Sequence, residues 1–495
     1  MRLTVSAPEP RADAKPLSTW TKAAYGFGAA AYGVKNNGFD YFLMIFYGQV
    51  LGVDTRLIGL ALLLSLVFDA ISDPLVGYIS DNWRSKWGRR HPFMYAAAVP
   101  VAASYFLLWN PPALSETGLF LFVLVLSIFI RTLITFYETP SSALTAELSQ
   151  QYDERTSLQS FRLFFAWVVG NLLTVLMFAF LLLPTPEYTD GILNRDGYAT
   201  YGIIASSLMF LSIMVCALGT HSRIPHLAAP PPKRKMTVGR LFKEIFETLS
   251  EKSFVALFLA ALFGAIATGV AAALAFYMLA YFWEFTPAQR LIWVALVFVS
   301  ALIGFILAPI MSRWLGKKKA VIALGIVAFS MAPAPVLLRL AGLLPENGDP
   351  ILFPLLATIN VIDIGLIVAL QALFASMIAD LVEQSEIKTG RRSEGVFFAA
   401  VTFIRKSTQG VGAFVAGFVI AFAALPENAV PGQVAEDALW RLGIAYAPTL
   451  LILWTCMIIA VSFYKIDKQG HEENLRTLDR LRAEAQNSPV GRPLS

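Results

Sequence analysis

Apolar runs long enough to cross a bilayer recur along the chain at roughly 24–52, 57–80, 92–110, 117–147, 159–184 and 199–220. After one polar stretch they resume at roughly 254–283, 289–312, 319–343, 350–382, 394–424 and 438–464. About 20 helical residues suffice to span the hydrocarbon layer, and a helix satisfies its own backbone there. The pattern predicts an all-α membrane protein of twelve transmembrane helices in two six-helix halves. Its parts are an N-terminal segment 1–23, a first half 24–222, a linker 223–253, a second half 254–466 and a tail 467–495.

The polar loops fix an orientation. Arg84, Lys86, Arg89 and Arg90 follow the second run, and Arg223, Lys233, Arg234, Lys235, Arg240 and Lys243 follow the sixth. Arg313, Lys317, Lys318 and Lys319 follow the eighth, and Lys388, Arg391 and Arg392 the tenth. The alternate loops are poor in Lys and Arg, so the positive-inside rule puts these basic loops and both termini in the cytoplasm. The linker joins a Pro run to a basic amphipathic stretch and reads as an interfacial connection.

Two landmarks repeat at nearly one offset. Glu147 matches Asp380, a displacement of 233 residues (380 minus 147), and Gly88 matches Gly316, a displacement of 228 (316 minus 88). Parallel six-helix repeats are the arrangement of the major facilitator fold.

Composition agrees and excludes other classes. Charged residues are 15% and hydrophobic residues 57%, whereas a soluble domain carries about 25% charged residues. The net charge of +5 lies in short loops between apolar runs, which argues against a nucleic-acid partner. Cys216 and Cys456 sit singly in apolar runs and suit no metal. The N-terminus lacks an apolar leader core, so the first span is expected to act as its own insertion signal.

Charges inside the spans carry the candidate chemistry, because each costs at least about 2.5–3.5 kcal/mol near the bilayer centre. In the second span Asp69 and Asp73 stand at i,i+4 on one helix face, with Pro74 directly after. Two carboxylates that close require a cation between them or a proton on one; the structural alternative is a bridge to Lys or Arg on a neighbouring helix. The fourth span holds Thr135 and Glu138 on one face, Pro140 beyond, and Arg131 two turns before Glu138. Arg131 would balance a carboxylate such as Asp40. The first span carries Lys35, Asn36, Asn37 and Asp40 among aromatics, amide forks that suit a polyhydroxylated ligand or glue helices together. Arg162 opens the fifth span, where it could bind or snorkel. Asp363 sits mid-tenth, and Thr402 and Lys406 lie in the eleventh.

These residues resemble the glycoside–pentoside–hexuronide:cation symporter family, whose best-known member is the melibiose permease. The resemblance covers nearly the whole chain. It rests on DAISDPLVGYISDNWRSKWGRRHP, on ETPSSAL and on ADLVEQSEIKTGRRSEGVFFAAVTFIRK, with GFGAAAYG at the start of the first helix. It implies cation ligands at Asp69, Asp73 and Thr135, with Na⁺ conceivable at the Asp pair, and substrate contacts at Glu138, Arg162 and Lys406. Departures from the melibiose permease fall at Gly33 for a sugar-binding Asp, Ser142 for a Trp, Leu66 for a basic residue and Ser72 for an Asn. Ser72 is kept among the candidate cation ligands; Asn36, Asn37, Asp40, Arg131, Thr402 and Asp363 join the candidate substrate residues.

The expectation is a monomeric, multi-pass inner-membrane symporter of a sugar, glycoside or hexuronide, coupled to H⁺ or Na⁺ and using no other cofactor. No P-loop supplies nucleotide energy. Arg84, Arg89, Arg90 and Asp380 are expected to latch the cytoplasmic side. The loss of the sugar-site Asp and Trp leaves a lysophospholipid or other amphipathic or anionic solute as an alternative. An enzyme would need clustered His or Cys, but His91, His221, His226 and His471 lie at or outside the cytoplasmic boundary. A non-transporting receptor or scaffold would tolerate neutralisation of Asp69 or Asp73.

Overall fold

The computed structural model describes residues 17–149, 151–227, 252–389, 406 and 408–464. They are helical almost throughout. In chain order the helices are α1 (19–50, broken by a turn and two π turns), α2 (Thr55–Asn82), α3 (His91–Trp109), α4 (Glu116–Leu148), α5 (152–181) and α6 (Arg195–His221). They continue as α7 (252–282), α8 (Pro287–Leu315), α9 (Lys317–Leu340), α10 (Leu352–Thr389), α11 (408–423) and α12 (Glu436–Ser462). Among the described residues nine of these are long and apolar enough to cross a membrane.

Local chemistry sets the helix starts. Asp54 accepts from Arg56 N at 2.8 Å ahead of α2, and Ser115 caps α4 by accepting from Gly118 N. Thr286 and Gln289 form a reciprocal capping box at α8, with Pro287 in the first turn, where its missing N–H costs nothing. On α4, Leu121, Val125 and Phe129 are exposed at i,i+4 spacing. The opposite stripe buries Arg131, Thr135 and Tyr137, which is the arrangement expected of a helix with lipid on one side and protein on the other.

The chain divides into two compact units. The first comprises α1 as far as Phe39, α2 from Val67, and α3 to α6. Here α3 packs on α4 and α6, and the start of α1 packs on α5 and α6. The second comprises α7 to α12 together with residues 40–66 and 182–194. In it α8 packs on α10, α7 on α12, and α9 on α10 and α12.

The two sets of six helices share backbone irregularities at one offset. Gly88 and Gly316 both adopt left-handed backbone, with φ of 73° and 75°. That conformation favours glycine. A π turn at Phe46–Val50 has its counterpart at Met278–Phe282, 232 residues on (278 minus 46). Each ends alike: Leu51 N donates to Phe46 O and Val53 N to Tyr47 O, as Trp283 N does to Met278 O and Phe285 N to Leu279 O. A second π pair, Met177–Leu181 and Thr408–Gly412, lies 231 apart (408 minus 177). Pro100 inside α3 matches Pro333, where α9 breaks, at 233 (333 minus 100). The repeat suggested by Gly88 and Gly316 thus extends through the backbone of both sets.

Candidate functional site

The candidate residues in the first unit converge on one stripe of α4. Arg131, Thr135, Glu138 and Thr145 follow a spacing of four, three and seven, which keeps them on one helix face. Arg131 Nη1 donates to Asp69 Oδ2 on α2 at 3.1 Å, with side chains 1% and 2% exposed. One turn on, Thr135 Oγ1 donates to Asp73 Oδ1 at 2.8 Å. Both contacts join residues 62 apart in sequence, so α2 and α4 run side by side in a single register.

Further along, Arg162 Nη2 on α5 donates to Glu138 Oε1 at 2.8 Å. Arg162 is buried, its guanidinium carbon lies 5.3 Å from the Tyr25 ring centre, and its Nη1 reaches Ser141 Oγ at 3.1 Å. It therefore does not snorkel. Tyr25 on α1 completes the row, donating to Ser141 O at 2.7 Å and meeting the Thr145 hydroxyl.

Two cations flank one ring in this unit. Lys35 Nζ lies 5.5 Å and Arg131 Cζ 5.6 Å from the centre of Phe39. Such contacts stabilise desolvated cations by about 0.5–2 kcal/mol. Among the described residues the carboxylate that Arg131 reaches is Asp69, a partner that sequence reasoning assigned instead to Asp40. Sequence could not choose between them, since helix periodicity orients a face without naming its neighbour.

Other sequence candidates take more structural roles. Asn37 Nδ2 donates to Thr174 Oγ1 on α5 at 3.1 Å, the helix-gluing use of an amide. Ser72 donates within α2 to the Asp69 carbonyl at 3.3 Å. Asn36 is half-buried in the first unit. Asp40, Asp363 and Lys406 belong to the second unit. Asp363 is buried on α10, and its Oδ1 makes no hydrogen bond among the described residues. Lys406 is half-buried and helical. Thr402 lies outside the described residues, as does the side chain of Asp380.

Gly33 shows why one departure occurs. A Cβ at Gly33 would stand 1.9 Å from the Ala166 carbonyl oxygen, and one at Gly170 would stand 2.9 Å from Gly33 O. The α1 and α5 backbones meet here, so no side chain fits.

The basic loop after α2 folds back on α4. Glu147 Oε1 accepts from Arg89 Nη2 at 2.7 Å and from Arg90 Nε at 2.9 Å, and Arg90 Nη2 also meets Asp81 at 2.6 Å. Arg84 stays exposed. In the second unit sequence reasoning missed a buried pair, Asp190 with Arg290. The guanidinium donates to both carboxylate oxygens, to Oδ1 at 2.7 Å, and to Phe285 O at 2.7 Å. Its carboxylate sits in a polar loop with no periodicity to flag it.

A model of the MFS/sugar transport protein family matches residues 24–468. The chain belongs to this family. It is a multi-pass membrane transporter and not an enzyme. A putative glycoside/cation symporter, YagG, of Escherichia coli (strain K12) is 24% identical over 94% of this chain and 96% of its own length. The sodium-dependent lysophosphatidylcholine symporter 1 of Xenopus tropicalis is also 24% identical, over 98% of this chain and 94% of its own. Among solved structures, a D-xylose-proton symporter superposes with a TM-score of 0.57 at 16% identity, over 88% of this chain and 97% of that one. That likeness establishes the major facilitator fold.

Proposed function

We propose that this transporter couples the movement of one cation, H⁺ or Na⁺, to that of a sugar, glycoside or hexuronide by alternating access. The observation that carries the reading is the register between α2 and α4. It gathers two buried carboxylates, an arginine and a hydroxyl into one row, which continues directly into Glu138 and Arg162. Charges so placed in a membrane span are costly and serve ions or solutes by default.

In this reading Asp69, Asp73 and Thr135 form the coupling centre. Glu138 and Arg162 meet the solute, as amide, carboxylate and guanidinium groups do with hydroxylated or acidic sugars. Glu138 Oε2 makes no hydrogen bond among the described residues, leaving an acceptor for a ligand hydroxyl. Lys406, Thr402, Asn36, Asp40 and Asp363 remain candidates for the solute site. The two six-helix halves rock about the site, with Arg89, Arg90 and Glu147 latching the cytoplasmic side and both termini cytoplasmic. The protein acts as a monomer in the cell membrane.

Similarity to the Xenopus lysophosphatidylcholine symporter along nearly the whole chain supports a second reading, an amphipathic solute. One experiment separates the two. Purified protein in proteoliposomes is given an imposed Na⁺ or H⁺ gradient and a panel of glycosides, uronides and lysophospholipids. Accumulation of a glycoside or uronide supports the first reading, and accumulation of lysolipid alone supports the second. If nothing accumulates under either gradient, symport fails.

A further inference from the structure

We infer that Arg131 is a built-in cation at Asp69, so that the α2 carboxylate pair exchanges one coupling ion, at Asp73, and that ion is a proton. The inference deepens the symport reading and rests on it.

A guanidinium stays protonated at any physiological pH. Here its Nη1 lies 3.1 Å from Asp69 Oδ2, and neither side chain is more than 2% exposed. Asp69 is thus compensated by the protein itself. Two carboxylates and one guanidinium leave a single negative charge when Asp73 is ionised and none when it holds a proton. Two carboxylates alone would leave two charges, a demand that a bare metal cation answers.

Donor chemistry points the same way. A hard cation collects oxygen ligands around itself. At this site Asp69 Oδ2 is engaged by an N–H donor and Asp73 Oδ1 by the Thr135 hydroxyl. A metal ion entering between them would sit beside a fixed positive charge. A proton adds no volume and needs only one carboxylate oxygen.

The arginine is also held in place for this role. Its Nε and Nη2 make no hydrogen bond among the described residues, and the Phe39 ring lies 5.6 Å from Cζ. Asp69 is therefore the carboxylate that keeps it buried. Of the other charged groups set along the same helices, Glu138 on α4 has Arg162 from α5, and Lys35 on α1 lies on the far contact of Phe39. Glu138 is thus compensated as Asp69 is, while Asp73 meets a neutral hydroxyl. Proton balance is simple: Asp73 takes up one proton from the side of higher proton activity and releases one to the other side.

Equilibrium binding of radioactive Na⁺ to the purified full-length protein in lipid nanodiscs tests this without knowing the solute. Wild type is expected to show no saturable binding at millimolar Na⁺. Arg131→Gln is expected to gain saturable Na⁺ binding, at least about tenfold tighter than wild type, corresponding to ~1.4 kcal/mol. Adding Asp69→Asn should remove the gain. Saturable Na⁺ binding by wild type overturns the inference, and so does a folded Arg131→Gln that gains none. Should Arg131→Gln fail to fold, wild-type proteoliposomes decide: uptake driven by a pH gradient in Na⁺-free medium supports it, and uptake that requires Na⁺ overturns it. Absence of uptake under both gradients strikes the symport reading instead, whereas Na⁺ binding by wild type strikes only this inference.

Discussion

Arg131 on α4 donates to Asp69 on α2 across 3.1 Å, in the same register by which Thr135 donates to Asp73 one turn later. A buried ion pair of this kind is stable as a pair and costly when broken. Removing one partner leaves an uncompensated charge, at about 3–5 kcal/mol, while replacing both with apolar residues of similar size is often neutral. Asp69→Leu and Arg131→Met should each lower the thermal unfolding midpoint in detergent. The double variant should recover most of the loss. If the double variant is as unstable as the sum of the singles, the pair contributes no coupling between these residues.

The Thr135 hydroxyl is a neutral donor to Asp73, and hydrogen bonds to a charged group contribute about 1.5–3 kcal/mol. Thr135→Ala should weaken the coupling-ion dependence of uptake roughly tenfold or more, whereas Thr135→Ser should keep it. Asp73→Asn should abolish gradient-driven accumulation while leaving downhill exchange measurable. Uptake by Asp73→Asn with unchanged ion dependence would remove that residue from the coupling centre.

Glu138 and Arg162 meet through one donor and one acceptor at 2.8 Å. Arg162 also serves Ser141 and lies over Tyr25, so its planar fork is used on several sides. Lysine presents a point charge and cannot reproduce that geometry. Arg162→Lys should therefore raise the concentration for half-maximal uptake, and Glu138→Gln should do so by a different factor for neutral and acidic sugars. Identical effects on both solute types would argue that the pair only packs the helices.

Much of this was legible in the sequence because lipid imposes simple rules. Twelve apolar runs follow from the length of a span, and Gly88 and Gly316 could be matched because both positions need left-handed backbone. The carboxylates Asp69, Asp73 and Glu138 announced themselves as charges in apolar runs. Partners were harder. Periodicity placed Arg131 inward but tied it to Asp40, because nothing in one helix says which neighbour faces it. The π turns at Phe46–Val50 and Met177–Leu181 have no residue signature, and the Asp190–Arg290 pair joins positions 100 apart through a loop.

Gly33 marks a place where packing overrides any ligand role. An added Cβ would stand 1.9 Å from the Ala166 carbonyl oxygen, a contact that backbone movement alone can relieve. Overpacking typically costs about 1–3 kcal/mol. Gly33→Ala should lower the unfolding midpoint, and Gly33→Asp should lower it further without creating a sugar contact. Sugar uptake improved by Gly33→Asp would show that α1 and α5 separate during transport.

Asp190 does two things in the second unit. Its carboxylate takes both terminal nitrogens of Arg290, and its Oδ1 also accepts from Ile192 N at 3.0 Å, capping the short turn ahead of α6. Asparagine keeps the cap but loses the charge, while alanine loses both. Arg290 is buried and would then be left with Phe285 O as acceptor. Asp190→Asn should therefore cost about 1.5–3 kcal/mol, and Asp190→Ala a further ~1 kcal/mol, read as successive drops in the unfolding midpoint. Arg290→Met paired with Asp190→Asn should restore part of the first loss but none of the second. Equal midpoints for Asp190→Asn and Asp190→Ala would show that the cap contributes nothing and that the ion pair alone orders this loop.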